Sequence, residues 1–243
     1  MFKNYLRSLT LALAIFSLSG CGIIDMIYLP PAEDTAQEIF EAGNDAMSEK
    51  NYVRAVELYN KLRDTYPFSP YTVDGELALA DAYYLDEEYV LAAETYKDFE
   101  SLHPRHEATP YVIYQTGMSL MKQFRSIDRA TTILQEAYEY FARLQQVYPD
   151  SPYAKDAEEK MHTCRRLMAE HELYIADVFW HMEKYGPAWR RYEYVSETFP
   201  DVPEVASHAK EKFLAAYHYY KEEQGRLTRE KRQGSWRNWF TWL

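Results

Sequence analysis

Val53, Val56, Tyr59 and Leu62 recur at spacings of three, which places them in one apolar stripe along a helix. The pattern around that stripe is repeated. A shift of 37 residues superposes Gly43 on Ala80, Tyr52 on Tyr89, Ala55 on Ala92, Tyr59 on Tyr96 and Pro67 on Pro104, and Ala80 falls in turn on Gly117. Each unit orders a small residue, an aromatic nine positions on, Ala at +12, Tyr at +16 and Pro at +24. A generic helical bundle gives no reason for a fixed shift. The third unit, Gly117 to Pro149, takes 32 residues instead of 24, so the extra residues around Phe124 to Ala130 predict a longer loop or longer helix ends. The fourth, Ala176 through Tyr185, Ala188 and Tyr192 to Pro200, restores the spacing of 24. Between Pro152 and Tyr185 there is neither Gly nor Pro, which predicts one long helix or two nearly continuous ones. A last helical pair or single helix, about Val205 to Lys221, closes the array. At its start, Asp34 with Gln37 three residues later predicts an N-cap.

Composition fits helices. Of the 243 residues, 47% are hydrophobic and 16% aromatic, too many for a disordered chain, and 8 glycines are too few for a turn-rich all-β fold. The net charge of −11 argues against nucleic acid, whose phosphates call for a basic surface. That charge is segregated: residues 33–110 carry 18 acids and 6 bases, whereas 111–243 carry 19 of each. At the C-terminus the balance reverses. From Gln224 onward Arg226, Arg229, Lys231, Arg232 and Arg237 face Glu230 alone, and Trp236, Trp239, Phe240 and Trp242 follow.

Residues 1–20 have the form of a secretory signal: Lys3 and Arg7, an apolar run from Leu9 to Leu18, small residues at the end, and no acid. Ten or so apolar residues are too few to span a bilayer. The run ends in Leu18-Ser19-Gly20-Cys21, which resembles the lipobox of bacterial lipoproteins. That resemblance implies cleavage before Cys21, with acyl and diacylglycerol lipid carried on it as the only attached group and no other cofactor or metal. Gly22 in place of Asp implies sorting to the outer membrane. Residues 21–32, with Pro30-Pro31, are expected to form a tether. Residues 33–221 are expected to form the repeat domain, and 222–243 a basic, Trp-rich tail.

The small, aromatic, Ala, Tyr and Pro positions resemble the signature of the tetratricopeptide repeat, a pair of antiparallel helices. The expected fold is all-α, an α-solenoid of about five helical hairpins. In that repeat the first helices line a groove suited to extended peptides. Carried over, the groove positions are Phe40, Asn44 and Met47, then Leu77, Asp81 and Tyr84, then Tyr111, Tyr114, Met118 and Met121. Phe40 and Leu77 stand where a carboxylate clamp needs polar groups, which disfavours recognition of a bare C-terminus.

A longer resemblance lies in the ordered segments. Arg63-Asp64-Thr65-Tyr66-Pro67-Phe68-Ser69-Pro70-Tyr71 is followed by Ala82-Tyr83-Tyr84, then His103-Pro104-Arg105-His106 and Tyr111-Val112-Ile113-Tyr114. Later come Tyr148-Pro149-Asp150-Ser151-Pro152-Tyr153 and Phe199-Pro200-Asp201. Together with the lipobox they resemble the BamD family, lipoproteins of the outer-membrane β-barrel assembly machinery. The resemblance implies a lipid-anchored outer-membrane protein that faces the periplasm and has no catalysis. Its implied partners are the barrel-forming subunit, accessory lipoproteins and unfolded outer-membrane barrel proteins. Arg190 and Arg191, read as an exposed basic pair, are the expected contact with the barrel-forming subunit. The alternative is a pilotin-like assembly lipoprotein for a pilus or secretin.

Enzymatic signatures are lacking: there is no HExxH among the seven histidines, no Gly-rich phosphate loop and no nucleophile elbow. His103 and His106 flank a turn proline and give weak support for a metal site. Cys164, in a helical stretch, reads as a buried small hydrophobe.

Overall fold

The computed structural model describes residues 34–233. The signal segment, Cys21, the tether to Ala32, and Trp236, Trp239, Phe240 and Trp242 lie outside the described residues. Within them the chain is helical throughout, in the order α1 Ala36–Ser48, α2 Tyr52–Thr65, α3 Pro70–Leu85, α4 Tyr89–Leu102, α5 Thr109–Gln123, α6 Thr132–Val147, α7 Ala154–His181, α8 Tyr185–Thr198 and α9 Pro203–Gln233. Each helix packs chiefly on the next, and only α1 with α3 and α7 with α9 add substantial contacts one step further. Nearest-neighbour packing of this kind is the organisation of a helical-repeat solenoid. The hairpins are α1/α2, α3/α4, α5/α6 and α7/α8, with α9 lying against α8. The single 28-residue α7 fills the stretch without Gly or Pro.

The repeated sequence positions are where the hairpins close. Gly43 faces Tyr59 so closely that a Cβ on it would stand 2.5 Å from the ring, and one on Gly117 would stand 2.7 Å from Phe141. Tyr59, Tyr96, Phe141 and Tyr192 are the rings at these crossings, and all are essentially inaccessible to water. At Gly43 and Gly117 the contact is with the body of a buried ring. Gly117→Ala is therefore expected to destabilise the fold, because overpacking costs about 1–3 kcal/mol against about 1 kcal/mol gained by Ala over Gly in a helix. Thermal denaturation checks this, and an unchanged or raised midpoint contradicts the crossing as described.

Three sequence expectations shift. First, α1 starts one residue later than Asp34 suggests. Thr35 is the N-cap: its Oγ1 accepts from Glu38 N at 3.3 Å, and its own N donates to Glu38 Oε2 at 2.8 Å, a reciprocal capping box. Asp34 instead pairs with Lys61. Second, the buried face of α2 is Ala55, Leu58, Tyr59 and Leu62, while Val53 is 60% exposed. Strict steps of three fall short of the 3.6-residue turn, so such a stripe drifts around the helix and leaves the core face. Third, α9 runs on past Lys221 to Gln233.

The inserted residues of the third unit form the loop from Phe124 to Thr131. It is held down by His171 of α7, whose Nδ1 meets the Ile127 carbonyl oxygen at 2.5 Å. Arg165, also on α7, locks the α8–α9 turn. Its guanidinium donates to Asp201 Oδ2 at 2.9 Å and to the Thr198 carbonyl at 2.7 Å, and lies 4.6 Å from the Phe199 ring. That bidentate partner holds the Asp201 carboxyl below its ordinary range.

Candidate functional site: an aromatic face along the first helices

In three units the residue after the small position accepts a hydrogen bond from the tyrosine at +16. Tyr59 donates to Asn44 Oδ1 at 2.8 Å, Tyr96 donates to Asp81 Oδ1, and Tyr192 donates to Asp177 Oδ1 at 2.6 Å. In the third unit both partners are apolar together: Phe141 replaces the tyrosine and Met118 the acceptor. Changing both leaves no orphaned donor, which is why the swap is tolerated.

Asp81 carries the largest burden of these acceptors, for its Oδ1 also receives the Tyr111 hydroxyl from α5 at 2.7 Å. Gln115 Nε2 in turn donates to the Tyr111 oxygen at 2.9 Å. Burial pushes the Asp81 carboxyl above its ordinary value, against the pull of its two phenol donors. A carboxyl raised in the folded state loses native stability as pH climbs from the unfolded value through the folded one. Asp81→Asn keeps an acceptor, as Asn44 does one unit earlier, and removes the charge. The variant is thus expected to match the parent near pH 3 and to gain on it toward neutrality, as checked by denaturant unfolding at both pH values.

Around this pair the first helices present a run of rings. Tyr111 lies 6.4 Å from Tyr96 and 5.6 Å from Tyr153, and Tyr114 stacks on Tyr153 at 5.4 Å and tilts toward Phe141 at 5.9 Å. The Tyr114 hydroxyl donates to Asp156 on α7. Beside the rings a cavity of ≈ 750 Å³ opens between the α4–α5 and α6–α7 turns, lined by Pro110, Tyr111, Tyr148, Pro152 and Tyr153 with Glu107 and Asp150 at its edge. A second, of ≈ 530 Å³, shares Pro152 and includes Asp156, Glu158 and Glu159. Largely apolar walls with acidic groups among the lining residues suit an extended polypeptide more than a small charged ligand.

Of the ten groove residues expected from sequence, Asp81, Tyr84, Tyr111 and Tyr114 fall in or beside this network, Tyr84 resting edge-on against Tyr89 at 5.5 Å. Phe40 lies apart, between Tyr59 at 6.3 Å and Tyr71 at 5.7 Å. Asn44 is exposed and spent on Tyr59; Met47, Leu77, Met118 and Met121 are partly buried against the cores. Sequence reading missed Tyr153 and Asp156. The signal was present, since Tyr66-Pro-Phe-Ser-Pro-Tyr71 and Tyr148-Pro-Asp-Ser-Pro-Tyr153 are near copies. The copies fold alike: Ser69 and Ser151 each accept from the backbone N of the tyrosine two residues on, at 3.3 Å.

Arg190 and Arg191 are not an equivalent pair. Arg190 is exposed, whereas Arg191 is half-buried and bound to Glu172, which neutralises it. Both line a cavity of ≈ 500 Å³ with Phe179, Pro187 and Tyr194. His103 and His106 serve the α4–α5 turn: His103 Nε2 meets Glu76 at 2.9 Å, and both imidazoles pack on Phe99, at 4.9 and 5.3 Å. Cys164 is fully buried, which pushes its thiol up to about 12. Among the described residues no three His, Cys, Asp or Glu side chains are grouped to hold a metal, and no helix is long and apolar enough to cross a membrane.

The sequence model of the YfiO family, outer membrane lipoproteins, matches residues 32–232, from the last residue of the tether almost to the end of α9. The chain belongs to this family. Among curated relatives, the outer membrane protein assembly factor BamD of Vibrio cholerae is 30% identical over 223 residues, covering 87% of this chain and 90% of the relative. The BamD proteins of Neisseria meningitidis serogroup A and Pasteurella multocida are 29% and 28% identical, over 72% and 81% of this chain and 69% and 78% of their own lengths. Membership agrees with the resemblance read from the ordered Tyr-Pro, Ala-Tyr-Tyr and His-Pro segments.

Proposed function

We propose that this YfiO-family protein is a non-catalytic assembly factor, held to the outer membrane by lipid on Cys21. Its first-helix face receives segments of unfolded outer-membrane β-barrel proteins. The observation that carries the reading is the Tyr111–Tyr114–Tyr153 ring set, fixed by Asp81 and Asp156, beside an open cavity of ≈ 750 Å³. Barrel strands alternate apolar and polar side chains and are rich in aromatics. Rigid rings with few free rotors bind such segments at low entropic cost. The similarity to relatives that are outer membrane protein assembly factors supports the same role.

At the other end of the array, Arg190 with Phe179 and Tyr194 forms the contact with the barrel-forming subunit, Arg191 being positioned by Glu172. Affinity purification from detergent-solubilised envelopes tests the assignment. Recovery of the barrel-forming subunit and its accessory lipoproteins is the expected result. Recovery of pilus or secretin subunits in their place overturns it.

A further inference from the structure

Each hairpin hands over to the next through one kind of turn. Tyr66, His103, Tyr148 and Phe199 close α2, α4, α6 and α8, and a proline follows each of them. At Tyr148 and Phe199 the backbone takes the same path: φ and ψ are −131° and 58° at the first, −121° and 50° at the second. The N–H of each ring residue donates to the carbonyl four residues back, and its own carbonyl accepts from the residue three on. After the proline these two turns carry Asp150 and Asp201, where the other two carry Phe68 and Arg105.

The later copy shows what such a ring and carboxylate hold. Arg165 reaches them from α7, donating to Asp201 Oδ2 at 2.9 Å and to the Thr198 carbonyl at 2.7 Å, with its guanidinium 4.6 Å from the Phe199 ring. Ring face, carboxylate and helix C-terminus each favour a cation. The earlier copy offers the same three groups in Tyr148, Asp150 and the end of α6 at Val147, and all three residues line the ≈ 750 Å³ cavity. No Lys, Arg or His is among the described residues that line it. Asp150 and Glu107, the two acids of that cavity, enter no ion pair among the described residues. The adjoining cavity adds Asp156, Glu158 and Glu159 against Lys155 and His162, so the field over the whole site is negative.

We propose that Tyr148 and Asp150 form a subsite for one arginine or lysine side chain of the bound polypeptide, its charged head at Asp150 and its aliphatic stem along the Tyr148 ring. The subsite rests on the first-helix reading above and adds a specificity to it. Tyr111, Tyr114 and Tyr153 take the apolar residues of an extended segment, and Asp150 selects a cation beside them. A long basic side chain suits the place because its stem covers apolar wall while its head stays at the wet rim. Acidic segments are disfavoured there, since Glu107 and Asp150 then face a like charge.

The test uses the full mature chain with Cys21→Ser, which cannot be acylated, and fluorescent synthetic peptides that alternate aromatic and polar residues and differ at one polar position: Arg, Gln or Glu. The Arg peptide is expected to bind about five-fold more tightly than the Gln peptide, the upper range for an exposed ion pair. The Glu peptide is expected to bind most weakly, and the differences to shrink as salt is raised. Asp150→Asn is expected to equalise the Arg and Gln peptides while leaving the affinity of the Gln peptide unchanged. The turn tolerates that change, because Phe68 and Arg105 hold the same place without a carboxylate. Arg and Gln peptides that bind the parent equally, both weakened by Tyr153→Ala, overturn the subsite and leave the first-helix reading standing. A preference for Arg that survives Asp150→Asn does the same. If Tyr153→Ala weakens neither peptide, the first-helix reading falls and the subsite with it.

Discussion

Tyr96→Ala is expected to lower stability by about 3–5 kcal/mol, the cost of emptying a large buried aromatic site, and to split the unfolding transition in two. Tyr96 is inaccessible to water and belongs to the small middle cluster with Ala80, Ala92, Phe99 and Val112. To one side lies the core of α1–α3, around Leu58, Tyr59 and Leu79; to the other the larger core that includes Phe141, Tyr192 and Val195. In a linear array cooperativity depends on each interface term being strong enough to couple the units on either side. Removing this ring also leaves Asp81 with one phenol donor in place of two. Calorimetry of the variant is expected to resolve an early transition of the N-terminal hairpins and a later one of the rest. A single transition, shifted by less than the parent's experimental spread, defeats the idea that the middle cluster couples the two cores.

The second large effect concerns binding. Tyr153 is the ring common to Tyr111 and Tyr114, and it borders the ≈ 750 Å³ cavity while remaining only half-buried. Truncating a central aromatic anchor commonly removes about 2 kcal/mol or more, at least about 30-fold in affinity. Tyr153→Ala is therefore expected to weaken binding of fluorescent peptides from outer-membrane β-barrel proteins by that factor, with a smaller loss of stability than Tyr96→Ala. Tyr153→Phe keeps the ring and is expected to bind like the parent. Phe68→Ala, at a turn residue 99% exposed, provides the control for loss of any surface aromatic. Should Tyr153→Ala and Phe68→Ala bind alike, the first-helix face is not the receptor.

The hairpin crossings were legible in the chain because they depend on residue size at fixed intervals: Gly43 against Tyr59 and Gly117 against Phe141 need only a small residue and a ring in register. Other features depend on partners far apart in sequence, and no local pattern reveals them. The spacing marks Asp81 as a groove residue, yet its double duty arises because α5 brings Tyr111 across to it, 30 residues away. Arg191 looks as free as Arg190 until Glu172, on the preceding helix, is placed beside it. The α1 cap illustrates a local competition: Asp34 and Thr35 are both good N-caps, and Glu38 decides between them by closing the box with Thr35. The end of α9, at Gln233, is hidden in the sequence for a different reason. Its last turns are polar all round, so no apolar stripe marks where the helix stops.

Because contacts run almost wholly between consecutive helices, nothing near the N-terminus must wait for residues far downstream. Low contact order favours rapid folding, and a chain released end-first organises in that sequence. With partners found within a few dozen residues of each other, α1 and α2 can close first and the molecule can build itself hairpin by hairpin while its remaining length is still unfolded.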